Sequence, residues 1–308
     1  MNVIVVGFGI QGRKRAAVAG SDVVATVDPA VPTAAYKTVE EVPLGRYEAA
    51  LVCAPDAAKR ELVRYLLGHG KHVLVEKPLL AADPNQLREL AELAQISGAV
   101  CYTAYNHRFE PHIARLKTIL AAGAMGSIYL VRCFYGNGTA RDVKRSPWRD
   151  QGSGVLADLG SHLLDIMQFL FGEPEGRFEA WSFNRLENRA FDHVLFGTTG
   201  KPVMELEGTL VSWRNTFTLD VYGEHGSAHL HGLCKWGPSL LIVRQRVLPS
   251  GRPTEEVHRL ECPDPTWALE YEHFTQLCRT GGTTLANDLW IASVLNDLAE
   301  TVGQEVMP

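Results

Sequence analysis

The chain has 308 residues, 46% of them hydrophobic and 21% charged, which is enough material for two domains with cores of their own. Its 30 Lys+Arg against 35 Asp+Glu give a net charge of -5, with no basic stripe for nucleic acid and no long run of like charge. No apolar stretch approaches the roughly eighteen residues of a membrane span, and the first strand opens at residue 3, so no signal peptide is expected ahead of it.

The first third alternates short apolar runs with helical periodicity. Val3–Val6 is a run, and Gln11–Ala19 reads as a helix. Val23–Val27 and Ala49–Cys53 are further runs, and a helix over Ala57–Leu67 ends at Gly68 and Gly70. His72–Glu76 is the next run. Asp83, Pro84 and Gln86 have the spacing of a capping box with proline at the first helical position, and Leu87, Leu90 and Ala94 then share one face. Val100–Thr103 closes the series. Short, wholly apolar strands between helices predict a parallel sheet covered on both faces.

The rhythm then changes. Pro111–Ala122 reads as a helix, Ile128–Tyr135 as a strand and Ser161–Phe171 as a helix. From Phe178 to Glu261 strand follows strand, with turns at Gly197–Gly200 and Gly223–Gly226. Met204, Leu206 and Leu210, and Phe217, Leu219 and Val221, alternate with polar or small residues, the pattern of a sheet with one buried face and one freer face. Helices near Trp267–Arg279 and Asn287–Thr301 end the chain. The six cysteines, Cys53, Cys101, Cys133, Cys234, Cys262 and Cys278, form no CxxC pair and read as buried thiols in a reducing, cytoplasmic setting.

The segment VIVVGFGIQGRKRA sets Gly7, Gly9 and Gly12 in a GxGxxG spacing between a strand and a helix. Gly7 permits the turn, Gly9 the approach of a pyrophosphate, and Gly12 the close packing of helix on strand. Asp28 stands 21 residues after Gly7 at the end of the second strand, where a carboxylate accepts from an adenosine ribose. Its charge would repel a 2′-phosphate, which favours NAD over NADP; Arg13, Lys14 and Arg15 read as a solvated helix face. The expected fold is α/β: a doubly wound parallel sheet of Rossmann type over residues 1–118, then an α+β domain with a large, mainly antiparallel open sheet over residues 119–308.

Other positions read less sharply. Lys77 ends a strand of the parallel sheet, where ligands of such sheets gather, yet from the residues alone it reads equally as a surface lysine. Asp158 and His162, four apart, share a face if both are helical, with Asp165 nearby. An N-cap aspartate with a core histidine is the competing reading. His229 and His231 have no carboxylate or cysteine in register, so a polar sheet face is favoured over a metal, and no metal is expected.

The chain resembles the glucose-fructose oxidoreductase / inositol dehydrogenase / MocA (Gfo/Idh/MocA) family through GFGIQG at 7–12, CAPDAAKRELVRYLLGHGKHVLVEKP at 53–78, YNHRFEP at 105–111, SPWRD at 146–150, GVLADLGSHLLD at 154–165 and the closing DLWIASVLNDLAETVGQEV. The resemblance implies an NAD site formed by Gly7, Phe8, Gly9, Ile10, Gln11, Gly12, Asp28, Cys53, Ala54, Pro55, Glu76, Lys77 and Asn106. It implies a cis bond before Pro78 and catalysis by Lys77, Asp158 and His162; Trp148 and Arg149 read either as shaping the substrate pocket or as a packed Trp with a surface Arg. The implied activity is hydride transfer between nicotinamide and a secondary alcohol or ketone of a sugar, nucleotide-sugar or cyclitol. His162 is the expected base, because its ordinary pKa lies near neutrality; Lys77 would hold the substrate oxygen or relay the proton. Arg141, Lys144, Arg145 and Arg149 read as a phosphate-meeting cluster or a solvated loop. A non-catalytic dinucleotide-binding regulator and a biliverdin reductase-like NADPH reductase are the alternatives; the three catalytic candidates weigh against the first, and Asp28 against the second. The freer sheet face is implied to pair with another copy, as a homodimer or homotetramer.

Overall fold

The computed structural model describes residues 1–146 and 149–303. Two units form. One holds Met1–Asn106 and Thr266–Ala292, the other His107–Pro265 and the chain from Ser293. In the first, β1 (Val3–Val6), β2 (Val23–Val27), β3 (Ala49–Val52), β4 (His72–Glu76) and β5 (Cys101–Ala104) form a sheet in the order β2-β1-β3-β4-β5, with every pairing parallel. Every residue of β1, β3 and β5 is buried, as strands covered on both faces require. The crossovers run through α1 (Ile10–Ala19), α2 (Asp56–Gly68) and α3 (Pro84–Ser97). Asp83 caps α3 by accepting from the Asn85 N–H at 2.9 Å, but the Gln86 side chain takes Arg60 instead of closing the capping box. The order reverses at β1, whose neighbours β2 and β3 lie on opposite sides, and ligands of open parallel sheets bind at such a switch.

The second unit carries an eight-stranded sheet of β6 (Ile128–Gly136), β7 (Glu179–Asn184), β8 (His193–Thr198), β9 (Val203–Thr209), β10 (Thr216–Gly223), β11 (Gly226–His231), β12 (Ser239–Val247) and β13 (Gly251–Leu260). Its order is β13-β12-β11-β10-β6-β9-β8-β7; the β6/β9 pairing is parallel and the rest are antiparallel. Alternate residues Phe217, Leu219 and Val221 are buried, on the side where the sheet meets α4 (Pro111–Ala121) and the turn before α6. A short α5 (Ala140–Lys144) precedes α6 (Ser161–Phe171). The opposite face bears cross-strand ion pairs, Arg132–Glu205 at 3.2 Å and Arg244–Glu255 at 2.8 Å. His229 lies there too. Contrary to the sequence reading, a carboxylate is in register with it: Asp220 Oδ1 is 2.6 Å from its Nδ1, and Ser227 Oγ is 2.9 Å from its Nε2. The polar network so formed accounts for this histidine. Among the described residues no cluster of three potential metal ligands occurs.

Two late helices follow, α7 (Thr266–Thr280) and α8 (Leu285–Thr301), and the chain through Ala292 belongs to the first unit. The joint is polar: Thr284 N donates to the Cys101 carbonyl at 3.0 Å, and Thr103 Oγ1 donates to Asp288 at 2.8 Å. Here the expectation of a solvated α1 face is corrected. Arg15 is 1% exposed, with Nε 2.7 Å from Glu76, Nη1 2.6 Å from Glu270 and its guanidinium over the Trp267 ring. The two carboxylates and the ring, two of them from the far end of the chain, make its burial tolerable.

Candidate functional site

In the first unit, every loop expected to meet a dinucleotide leaves a strand at the same, carboxyl edge of the sheet. Gly7 has φ +89°, and a Cβ there would stand 2.6 Å from the Cys53 carbonyl oxygen. A Cβ on Gly12 would stand 1.9 Å from the Gly7 oxygen. Chain packing therefore explains these two glycines. It does not explain Gly9, where a Cβ would meet nothing within 4 Å; a phosphate approaching the free N–H groups that open α1 does. Ile10 and Gln11 are exposed beside it and Phe8 is partly so. The Phe8 N–H donates to Asp28 Oδ2 at 2.7 Å, while Ala30 and Val31 donate to Oδ1 at 2.8 and 2.9 Å. Burial works to raise this carboxyl, but those three N–H groups and the Lys37 charge outweigh it and lower its pKa. Asp28 is thus a fixed anion at the end of β2, with acceptor capacity left for a ribose diol. The loop residues fit an adenine dinucleotide.

Cys53, Ala54 and Pro55 lead from β3 into α2; burial, and after it the Glu76 charge, push the Cys53 thiol up, so it is a neutral wall. Glu76 ends β4 as a partner of Arg15. The Lys77–Pro78 peptide is cis, as the resemblance implied, and Lys77 is partly exposed. Asn106 follows β5 and donates through Nδ2 to Thr266 Oγ1 at 2.8 Å.

In the second unit, the stretch that carries Asp158 is a π-helical turn, Leu156–Gly160, running into α6. The premise of one regular α-helix through Asp158 and His162 is corrected; a wider turn of this kind re-aims side chains and is frequent at functional sites. Gly154, at φ +54°, brings the turn against the Phe191 carbonyl, 2.3 Å from where a Cβ would be. Asp158 is half-exposed, with Arg149 Nη2 3.9 Å away. His162 is 6% exposed and stacks on His107 at 4.2 Å between ring centroids, with the Tyr135 ring at 5.9 Å. Lys235 Nζ lies 2.8 Å from His107 Nε2, and Trp236 packs 5.6 Å from Tyr135. Burial, then the Asp158 charge, push the Tyr135 phenol up, so it stays protonated. Asp165, expected near the same face, is instead wholly buried and clasped by the Arg108 guanidinium at 2.5–3.0 Å.

The structure thus brings Asp158, His162 and Arg149 together in one unit, and the glycine loop, Asp28, Cys53, Glu76, Lys77 and Asn106 to one sheet edge in the other. Trp148 lies outside the described residues. Sequence reasoning did not single out Tyr135 and Lys235 beside His162. Their only signal was an aromatic residue late in a strand and a Lys-Trp pair after another, too common to single out.

Comparison with known proteins identifies the two units by family and fold. Residues 1–105 match an oxidoreductase family with an NAD-binding Rossmann fold, and residues 113–229 match the GFO/IDH/MocA C-terminal domain. An uncharacterized oxidoreductase of Escherichia coli (strain K12), YdgJ, is 30% identical over 188 residues, 59% of this chain and 53% of that one. A glucose-6-phosphate 3-dehydrogenase of Bacillus subtilis (strain 168) is 27% identical over 143 residues, 44% of this chain and 40% of that one. The aligned stretches therefore span about half or less of these two relatives. The structure of levoglucosan dehydrogenase in complex with NADH and levoglucosan superposes with a TM-score of 0.84, covering 98% of this chain and 96% of that one; at 19% identity this shows the fold. Among the described residues no helix is long and apolar enough to cross a membrane.

Proposed function

Because the chain belongs to the Gfo/Idh/MocA family of NAD-binding oxidoreductases, we propose that it is a dehydrogenase for a secondary alcohol of a sugar, nucleotide-sugar or cyclitol, reducing the ketone in reverse. The observation that carries this reading is the wall around His162. Trp236, partly exposed and backed by the buried Tyr135 ring, offers an aromatic face to the C–H side of a sugar ring, while Asp158, Arg149 and Lys235 offer charge-assisted partners for its hydroxyls. His162 takes the hydroxyl proton as general base. The Lys77 ammonium donates to the substrate oxygen and stabilises the charge that develops there. Asp158 orients Lys77 or His162, and Arg149 binds substrate. NAD, when bound, supplies the hydride acceptor. In the reduction His162 returns the proton.

The relatives lend the reading their names, two of which are sugar dehydrogenases. A regulator without turnover has no use for Lys77, Asp158 and His162 together. The charged, partly aromatic open face of the eight-stranded sheet is proposed to pair with a second copy, and six free cysteines suit a cytoplasmic setting. The test is a panel of free sugars, sugar phosphates, nucleotide-sugars and cyclitols with NAD or NADP, read by absorbance of the reduced nicotinamide. Turnover with at least one sugar or cyclitol and NAD is expected. Tight NAD binding without turnover across the panel would replace the dehydrogenase with the regulator.

A further inference from the structure

We propose that Lys59, a residue of α2 outside the cofactor loops, is a positioning residue for Lys77; the proposal rests on the reading of Lys77 given above. Lys59 is 3% exposed. Its three ammonium donors meet three acceptors: the main-chain carbonyls of Lys77 at 3.1 Å and Pro78 at 3.0 Å, and Asp56 Oδ1 at 2.6 Å. Burying an ammonium costs several kcal/mol unless it is paired and fully hydrogen-bonded. A cation in the first turn of a helix also opposes the helix dipole. Neither cost serves α2, whose buried face is already built from Val63, Leu66 and Leu67. Both become intelligible if the cation is there for the turn that it grips.

The grip is two-sided. Arg15 holds the Glu76 carboxylate from α1, and Glu270 holds Arg15. Lys59 holds the two carbonyls that follow. The segment from 76 to 78 is therefore held by two buried cations, at the Glu76 side chain and at the carbonyls of 77 and 78, while the Lys77 side chain stays partly exposed. A four-carbon stem is flexible, so the direction of the Lys77 ammonium depends on where its backbone is held. Misplacement of a reacting group by about 1 Å costs about 10²-fold in rate.

The experiment compares Lys59→Met, Lys59→Arg, Lys77→Met and the double variant Lys59→Met/Lys77→Met in the full chain. Turnover is read with whichever sugar of the panel reacts, NAD affinity by titration, and amide hydrogen exchange of the segment following Glu76 by mass spectrometry. Lys59→Met is expected to lose about 10²-fold in kcat with NAD affinity kept, and to exchange faster after Glu76 but not elsewhere in the unit. Lys59→Arg, which keeps donors, should recover part of the rate, and the double variant should be no slower than Lys77→Met alone. Unchanged kcat and exchange in Lys59→Met, with Lys77→Met inactive, would overturn this inference and leave the dehydrogenase reading intact. Exchange rising throughout the unit, with NAD affinity falling alongside kcat, would reduce Lys59 to a fold-holding residue and also overturn it. Full activity in Lys77→Met would remove the premise itself.

Discussion

The carboxyl edge of the five-stranded sheet takes the residues proposed to face the ligand from successive strand ends: Gly7 to Gly12 after β1, Asp28 after β2, Cys53 after β3, Lys77 after β4. The wall around His162 is assembled otherwise, from residues 107, 135, 162, 235 and 236, no two of its elements adjacent in the chain. In the first region each residue is fixed by its own turn or strand end, so position in the sequence nearly implies position in space. In the second, a ring is placed only by the register of β6 and by the turn after β11. On the proposed function, the first region therefore has a common, general chemistry, the holding of a dinucleotide, and the second has room to vary with the substrate.

Substitutions separate the two regions by what they damage. The largest effects are expected where both regions serve the reaction step. His162→Asn and Lys77→Met should each lower kcat by roughly 10²–10⁴-fold, the usual contribution of a positioned acid or base, with NAD affinity by titration kept in the first and changed little in the second. Full turnover in either variant would detach that residue from the chemistry. Next comes a substitution confined to the first region. Asp28→Ser removes the charged acceptor of the ribose, a loss of roughly 1.5–3 kcal/mol, so the NAD dissociation constant should rise about tenfold to a hundredfold. NADP should gain, because Lys37, whose Nζ bonds the Val31 carbonyl at 3.2 Å, remains beside the vacated carboxylate. An unchanged NAD/NADP ratio would show that Asp28 does not meet the ribose. Trp236→Ala, confined to the second region, should raise the substrate KM by up to about tenfold, on the order of one aromatic contact, and leave NAD affinity alone. A KM that stays put while NAD binding weakens would erase the proposed division of labour.

The smallest effect is a pH slope. Burial pushes the Glu270 carboxyl from its ordinary 4.5 up to about 7, with the Arg15 charge opposing. The folded protein thus holds this proton more tightly than the unfolded chain does. The resulting stabilisation is complete below about pH 4.5 and is lost as pH rises toward 7. Glu270→Gln should flatten that part of the stability curve in thermal unfolding between these pH values. A variant curve parallel to the parent's would mean that Glu270 is ionised throughout.

The strands of the parallel sheet were legible because burial on both faces leaves only apolar runs, and Asp28 because a strand end must carry it. The alternation of Phe217, Leu219 and Val221 was legible because one sheet face is buried. Arg15 was misread because its partner Glu270 lies 255 residues away, and three basic residues in a row look like a water-facing surface. Gln86 had the right spacing for a cap, but a longer-range partner, Arg60, claims it. Asp158 and His162 were legible as a pair, whereas the π turn between them has no signature of its own in LADLG. Asp165 seemed to extend that pair, and only the fold reveals that Arg108 occupies it.

The return of residues 266–292 to the first unit has a consequence for synthesis. The strand β5 ends its sheet, and its Cys101 carbonyl is met by Thr283 and Thr284. A nascent chain that has just left the ribosome with β1 to β5 complete still exposes that edge, and it carries Arg15 with only one of its two counter-charges. Unpaired edges and half-neutralised buried cations invite aggregation and delay closure. The nucleotide-binding unit is therefore completed only after the eight-stranded sheet of the second unit has been made, and a fragment cut after residue 118 would need a chaperone rather than stand as a free NAD-binding module.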